Sequence, residues 1–110
     1  MIKVYIAGPY SKGDVAVNVN TATLIADELY DLGYAPYLPH LTHYWHIIKP
    51  RPYEDWLKLD KEFLLICDCV LRIPGESSGA DAEVDLARDK GIKVFFSIQS
   101  LYGYYKLGGI

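Results

Sequence analysis

KVYIAGPYSKGDVAVNVNTATLIADELYDLGYAPYLP, residues 3–39, decides the fold. It opens on Lys3–Ala7, a short run rich in β-branched and aromatic side chains that stops at Gly8-Pro9, the pattern of a strand. A polar loop follows, and from about Asp14 to Leu32 the spacing turns helical, with Ala22, Ile25, Ala26 and Leu29 at i, i+3, i+4 and i+7. Asp14 is placed to cap that helix and Gly33 to end it. Tyr34–Leu38 is a second short strand, closed by Pro39. Strand, helix, strand is one crossover unit, and such units are right-handed and build parallel sheets.

The remainder repeats the alternation. A helix is expected from about Glu54 to Cys67, with Trp56, Leu59, Phe63 and Ile66 on one face. CVLRI, Cys69–Ile73, is a third strand, Pro74–Gly79 a loop, Ala80–Lys90 a helix closing at Gly91, and Ile92–Ser97 a fourth strand. Residues 39–53 read as a long non-helical connection punctuated by Pro39, Pro50 and Pro52, and connections of that length tend to be lids or binding loops. The tail Ser100–Ile110 forms a short amphipathic helix on its own sheet or lies across another surface. This order predicts an α/β fold, a small doubly wound (Rossmann/flavodoxin-like) parallel sheet of four to five strands with helices on both faces. Ligands of such sheets sit beyond the carboxyl ends of the strands. Here those ends are the loops Gly8–Gly13, Pro39–Tyr53 and Pro74–Gly79.

At 110 residues the chain reads as a single domain, 1–110, long enough to bury a core without staples. Hydrophobic residues at 51% and charged residues at 23% exclude disorder. A net charge of −3 argues against a nucleic-acid polymer as partner but leaves room for a small anion held by local groups. No apolar run approaches the roughly 20 residues of a membrane span. Cys67 and Cys69 are poorly spaced for a disulfide and lack the companions of a zinc site, so they read as buried thiols in a reducing, cytoplasmic setting.

Two carboxylates break the apolar patterns. Glu83 falls inside the stripe Ala80, Val84, Ala87, at a helix start beside the loop GESSG. A carboxylate there costs free energy unless it is paired or used. It caps its own helix or bonds loop amides, or it serves as a nucleophile or general base. Asp60 lies four after Trp56 and three before Phe63, and it pairs with Lys58 or Lys61, is simply exposed, or acts as a second acid near the site. Ser77, Ser78 and Gly79 precede a helix and can cap it or cradle an anion. Gly8, Tyr10, Ser11 and Lys12 form the loop after the first strand, which lacks the Lys-Ser/Thr ending of a P-loop; Lys12 would supply a cation. His40, His43 and His46 stand three apart without a nearby acidic ligand, so no metal site is assigned, and His40 is the one expected to face the site. The ten tyrosines read mostly as packing, and Tyr10 differs in following Gly8-Pro9 at the ligand edge. Arg72 reads as a structural ion-pair partner of Asp68 or Glu76.

Several segments together resemble the nucleoside 2-deoxyribosyltransferase family, including its 2′-deoxynucleoside 5′-monophosphate N-glycosidase branch. YIAGPYS at 5–11 resembles the family's opening strand and loop, Asp60 through Cys67-Asp68 its D-x(6-7)-[AC]-D element, and SSGADAEVDLA at 77–87 its S-x-G-x-x-x-E helix start. The resemblance runs from about residue 3 to residue 97. It implies that Glu83 attacks C1′ of the sugar, that Asp60 holds or protonates the leaving base, and that Ser77 and Gly79 contact the 5′ end. Tyr10, Ser11 and Lys12 fall where the family's first loop meets sugar or phosphate. Asp81 stands where the glycosidase branch often has glycine, and Ser11-Lys12 where that branch has arginine.

The reading is cleavage or transfer at the N-glycosidic bond of a (deoxy)nucleoside or nucleoside 5′-monophosphate, through a glycosyl-enzyme on Glu83, with no metal or organic cofactor required. The alternative is a non-catalytic nucleotide-binding or sensor module on the same fold. A homo-oligomer, dimer or higher, is expected from the apolar tail residues Leu101, Tyr102, Tyr104, Tyr105, Leu107 and Ile110.

Overall fold

The computed structural model describes residues 1–106 and Gly108. Its elements in chain order are β1 (Lys3–Ala7), α1 (Val15–Asp31), β2 (Ala35–Tyr37), a 3₁₀ turn (Pro39–Leu41), α2 (Thr42–Ile48), α3 (Tyr53–Leu64), β3 (Cys69–Arg72), α4 (Ser78–Asp89), β4 (Lys93–Phe95) and α5 (Ile98–Lys106). The four strands described form one parallel sheet in the order β2-β1-β3-β4, with Val4 opposite Pro36 on one side and Cys69 on the other. The expected doubly wound α/β fold is the one observed.

Alternation along the strands feeds two cores. Val4, Ile6, Leu71 and Phe95 pack against α1 and α5 on one face. Tyr5, Ala7 and Val70 meet Leu64 of α3 and Ala80 and Ala87 of α4 on the other. Asp14 caps α1, its carboxylate accepting from the amides of Ala16 and Val17 at 2.9 and 3.2 Å. Gly33 ends the helix at φ +96°. No helix among the described residues is long and apolar enough to cross a membrane. Cys67 and Cys69 are buried free thiols.

Three expectations are corrected. The connection 39–53 is largely helical, and Leu41, Tyr44, Trp45 and Ile48 stand on it at i, i+3, i+4 and i+7. That stripe faces outward: all four side chains are exposed. Helix α3 buries Leu64 rather than Phe63 and Ile66, which are 38% and 64% exposed, so its inward face is Trp56, Asp60 and Leu64. Arg72 bonds neither Asp68 nor Glu76: its guanidinium reaches Asp81 at 2.9 Å and the carbonyls of Ile73 and Gly75. Asp68 instead accepts from the Lys3 amide at 2.7 Å. The tail takes the form of α5 on its own sheet, with Leu101 fully buried and Tyr104 and Tyr105 packed against the core; Leu107 and Ile110 lie outside the described residues.

The loops after β1 and β3 are in contact at the carboxyl edge of the sheet. A Cβ at Gly8 would stand 2.9 Å from Cβ of Ile73, and one at Gly75, where φ is +125°, 2.7 Å from Cγ of Pro9. Gly75→Ala should therefore lower the unfolding free energy by about 1–3 kcal/mol, from strain and the clash together, read as a drop in the urea midpoint. An unchanged midpoint would mean the two loops are not held as described.

Candidate active site

The carboxyl ends of β1, β2 and β3 open on one cavity of about 570 Å³, within the ordinary size range of small-molecule sites. Gly8, Tyr10, Ser11 and Lys12 line it from the first loop, and His40 from the 3₁₀ turn. Ser77, Ser78, Gly79 and Glu83 line it from α4 and the loop before it, and Asp60 from α3. All ten residues singled out in the sequence thus share one cavity. The structure adds Thr42, His46 and Arg51 from the segment after β2, and Tyr53, Trp56 and Leu57 from α3. The α3 set was readable, since Tyr53, Trp56, Leu57 and Asp60 are at i, i+3, i+4 and i+7.

Glu83 sits in the second turn of α4, one turn further in than expected, because the helix starts at Ser78 with Ser77 as its cap. The hydroxyl of Tyr5 donates to Glu83 Oε2. Tyr5 is fully buried in β1, and burial first, then Glu83 and Asp60, push its phenol far above the ordinary range, so it is a fixed donor. Nothing in the sequence tied a strand tyrosine to a helix 78 residues later. Burial raises the Glu83 carboxyl to about 7; the Tyr5 bond and Arg72 pull it down and Asp60 pushes it up. Asp60 is raised to about 7 by burial. Its Oδ1 is buried with no hydrogen-bond partner, so neither Lys58 nor Lys61 answers it.

The other groups are set by local bonds. Ser77 Oγ accepts from the Ala80 amide at 3.1 Å, which leaves its hydroxyl proton to donate. Lys12 and Glu76 approach to 3.7 Å, both well exposed; a pair of that kind holds the ammonium weakly. Tyr10 meets His43 Nδ1 at 2.7 Å. His40 Nε2–H donates to the Pro9 carbonyl at 3.0 Å, and burial lowers its pKa against the pull of that bond. Tyr53 closes the rim: a Cβ on Gly79 would stand 3.2 Å from its hydroxyl. Among the described residues no group of three His, Cys, Asp or Glu side chains is placed to hold a metal. Two carboxyls near neutrality in one cavity can divide the roles of acid and base between them.

Compared with known proteins, a family model described as "Domain of unknown function (DUF4406)" matches residues 2–96. No curated protein matches the chain. Among solved structures, a 2-deoxyribosyltransferase from the psychrotolerant bacterium Bacillus psychrosaccharolyticus is similar at 20% identity and a TM-score of 0.64. The match covers 84% of this chain and 69% of that one. That protein is described as a biocatalyst for the synthesis of antiviral and antitumoral nucleosides. The likeness is one of fold, and it agrees with the likeness read from the motifs.

Glu83 and Asp60 carry a folded-state pKa above the unfolded one, so the folded chain binds the extra protons between about pH 4 and pH 7. Stability from this source is present at the acid end and lost as pH rises through the folded pKa of about 7. Glu83→Gln should therefore be more stable than wild type at pH 8, on the order of 1–3 kcal/mol after discounting for partial exposure. The gain should shrink toward pH 5. Urea midpoints of the two proteins across that range check it, and a difference that does not vary with pH would overturn the assignment.

Proposed function

The chain belongs to the DUF4406 family, and we propose that it cleaves or transfers the N-glycosidic bond of a (deoxy)nucleoside or nucleoside 5′-monophosphate. The observation that carries this reading is the pair Glu83 and Asp60. They come from two different helices, line one cavity, and are both raised to about 7. Two partly buried carboxyls facing one cavity suit the two-step logic of retaining glycosidases.

Glu83 as carboxylate attacks C1′. The C1′–N bond breaks, its electron pair goes to the base nitrogen, and protonated Asp60 gives its proton to the leaving base. The glycosyl-enzyme is then opened by water or by a second base, whose proton passes to the Asp60 carboxylate, freeing Glu83 with net retention at C1′. Tyr5 serves the nucleophile: its hydrogen bond aims Oε2 and favours the charged form. The aromatic wall of Tyr53 and Trp56 suits a base, while Lys12, Ser77 and the start of α4 suit a 5′-phosphate.

Incubation with a panel of nucleosides and their 5′-monophosphates, followed by chromatography for free base, tests this. Base release should vanish in Glu83→Gln. Asp60→Asn should lose about 10²–10⁴ in rate, less on bases that leave easily. Monophosphates should be preferred, and the preference should shrink in Lys12→Ala. Full turnover in Glu83→Gln would sink the mechanism; tight binding of nucleotide by wild type with no base released would make the chain a binding module.

The working unit is proposed to be a homo-oligomer. Support comes from Leu41, Tyr44, Trp45, Ile47 and Ile48, whose large apolar side chains are exposed together on the segment that borders the cavity. Light scattering at micromolar concentration should give at least a dimer, and Ile47→Asp with Ile48→Asp should give a monomer. A wild-type monomer would remove the proposal.

A further inference from the structure

The cavity holds one strong donor group for which the reaction as drawn has no use. Arg51 is the sole guanidinium among the described residues that line it. Its Nε donates to Asp55 Oδ2 at 3.0 Å, one helical turn further on. That bond ties the group at its back, and its two terminal nitrogens have no partner among the described residues. The main chain is held as well. The Arg51 amide donates to His46 Nδ1 at 3.3 Å, and the Trp56 indole nitrogen lies 3.0 Å from the same atom. A fork anchored behind and open in front is pre-organised for an acceptor pair on a ligand.

The fork stands at one end of the aromatic wall. Tyr53, Trp56, Leu57 and Asp60 are the residues of α3 that line the cavity. Asp55, which holds Arg51, marks the N-terminal end of that stripe, and Asp60 lies five residues on, about 7–8 Å along the helix axis. In the proposed reaction Asp60 meets the base on the side of the bond that breaks. A base lying along Tyr53 and Trp56 then turns its opposite edge to Arg51, and the separation of the two groups suits two fused rings better than one. Lys12 and Ser77, on the other loops, are left to the 5′ end. We infer that Arg51 reads the base and that the base is a 6-oxopurine, with O6 and N7 accepting from the two terminal nitrogens of the guanidinium. The inference rests on the N-glycosidic reading for the direction in which the base lies. A guanidinium donates and cannot accept, and paired donation to O6 and N7 is how it recognises guanine elsewhere. The 6-amino group of adenine would set donor against donor. Hypoxanthine and guanine share the accepting edge, so both fit. With N7 taken, the Asp60 proton is delivered on the glycosidic side of the ring, at N3 or N9.

The 5′-monophosphates of 2′-deoxyinosine and 2′-deoxyadenosine differ only in the purine edge at N1 and C6. Titrated calorimetrically into Glu83→Gln, they report binding without turnover. The inosine nucleotide should bind about 10–100-fold more tightly. Its 7-deaza analogue keeps O6 but lacks N7, and should bind about fivefold or more weakly than its parent. Arg51→Met keeps the reach of the side chain and removes every donor, so it should bring the inosine and adenosine nucleotides within about twofold of each other. Equal binding of the two in Glu83→Gln, binding of neither, or a preference that survives Arg51→Met would each overturn the inference. If Arg51→Met loses the native circular dichroism, the 7-deaza probe decides, and binding as tight as that of its parent overturns the inference. Failure of the N-glycosidic reading looks different: the preference for the inosine nucleotide, levelled by Arg51→Met, would then stand and uphold the contact, while wild type releases no hypoxanthine.

Discussion

A tyrosine in a strand buried on both faces must find a partner for its hydroxyl, and here that requirement organises the site. Tyr5 sits in β1 with no exposed surface, beneath α4. A buried hydroxyl without a hydrogen bond is costly. Glu83 answers it, which explains how a carboxylate is tolerated between Ala80 and Ala87. The same bond that satisfies the phenol fixes which oxygen of Glu83 is engaged and where the other is free to point. Asp60 has no such compensation and is held near neutrality by burial alone. The two carboxyls therefore differ in kind: one is steered by a donor, the other is left as an uncompensated acid.

The wall that faces these carboxyls is built on a different plan from the rest of the molecule. Helix α2 has no buried residue. It stays in place through imidazole hydrogen bonds and the edge-on contact of two indoles rather than through a core. Elements with few buried apolar contacts open at low free energy. A site fixed on the sheet side by packing and on the other by a few polar bonds can hold its chemistry rigid while its entrance responds to conditions.

Much of this was legible in the residues. The strand-helix-strand run at 3–39 carried its own caps and stops, and Glu83 declared itself by standing where an alanine or valine belongs. Asp60 was found for the right reason on the wrong face: with Phe63 and Leu64 adjacent, spacing alone does not say which one is buried, and stacking of Phe63 on Tyr37 at 4.5 Å half-covers the loser. Helix α2 was hidden because prolines at 39, 50 and 52 suggest a broken chain, although its apolar spacing was regular. The partner of Arg72 was unreadable for another reason. Asp81 comes within reach only after α4 has folded back over β3, and no local pattern encodes that.

Pro36 has a consequence for how copies of this chain can meet. Ala35 gives its amide to the Ile2 carbonyl at 2.9 Å, so the next nitrogen along β2 faces away from the sheet. That position is proline, which has no proton to offer. The open border of β2 is thus mute at its centre, and the opposite border, β4, is only three residues long and carries Lys93. Growth of the sheet from one molecule into the next is discouraged at both rims. Any contact between copies would fall to side chains on helices, where a charge or a bound molecule can reverse it, and a missing hydrogen atom weighs against the fibre-like alternative.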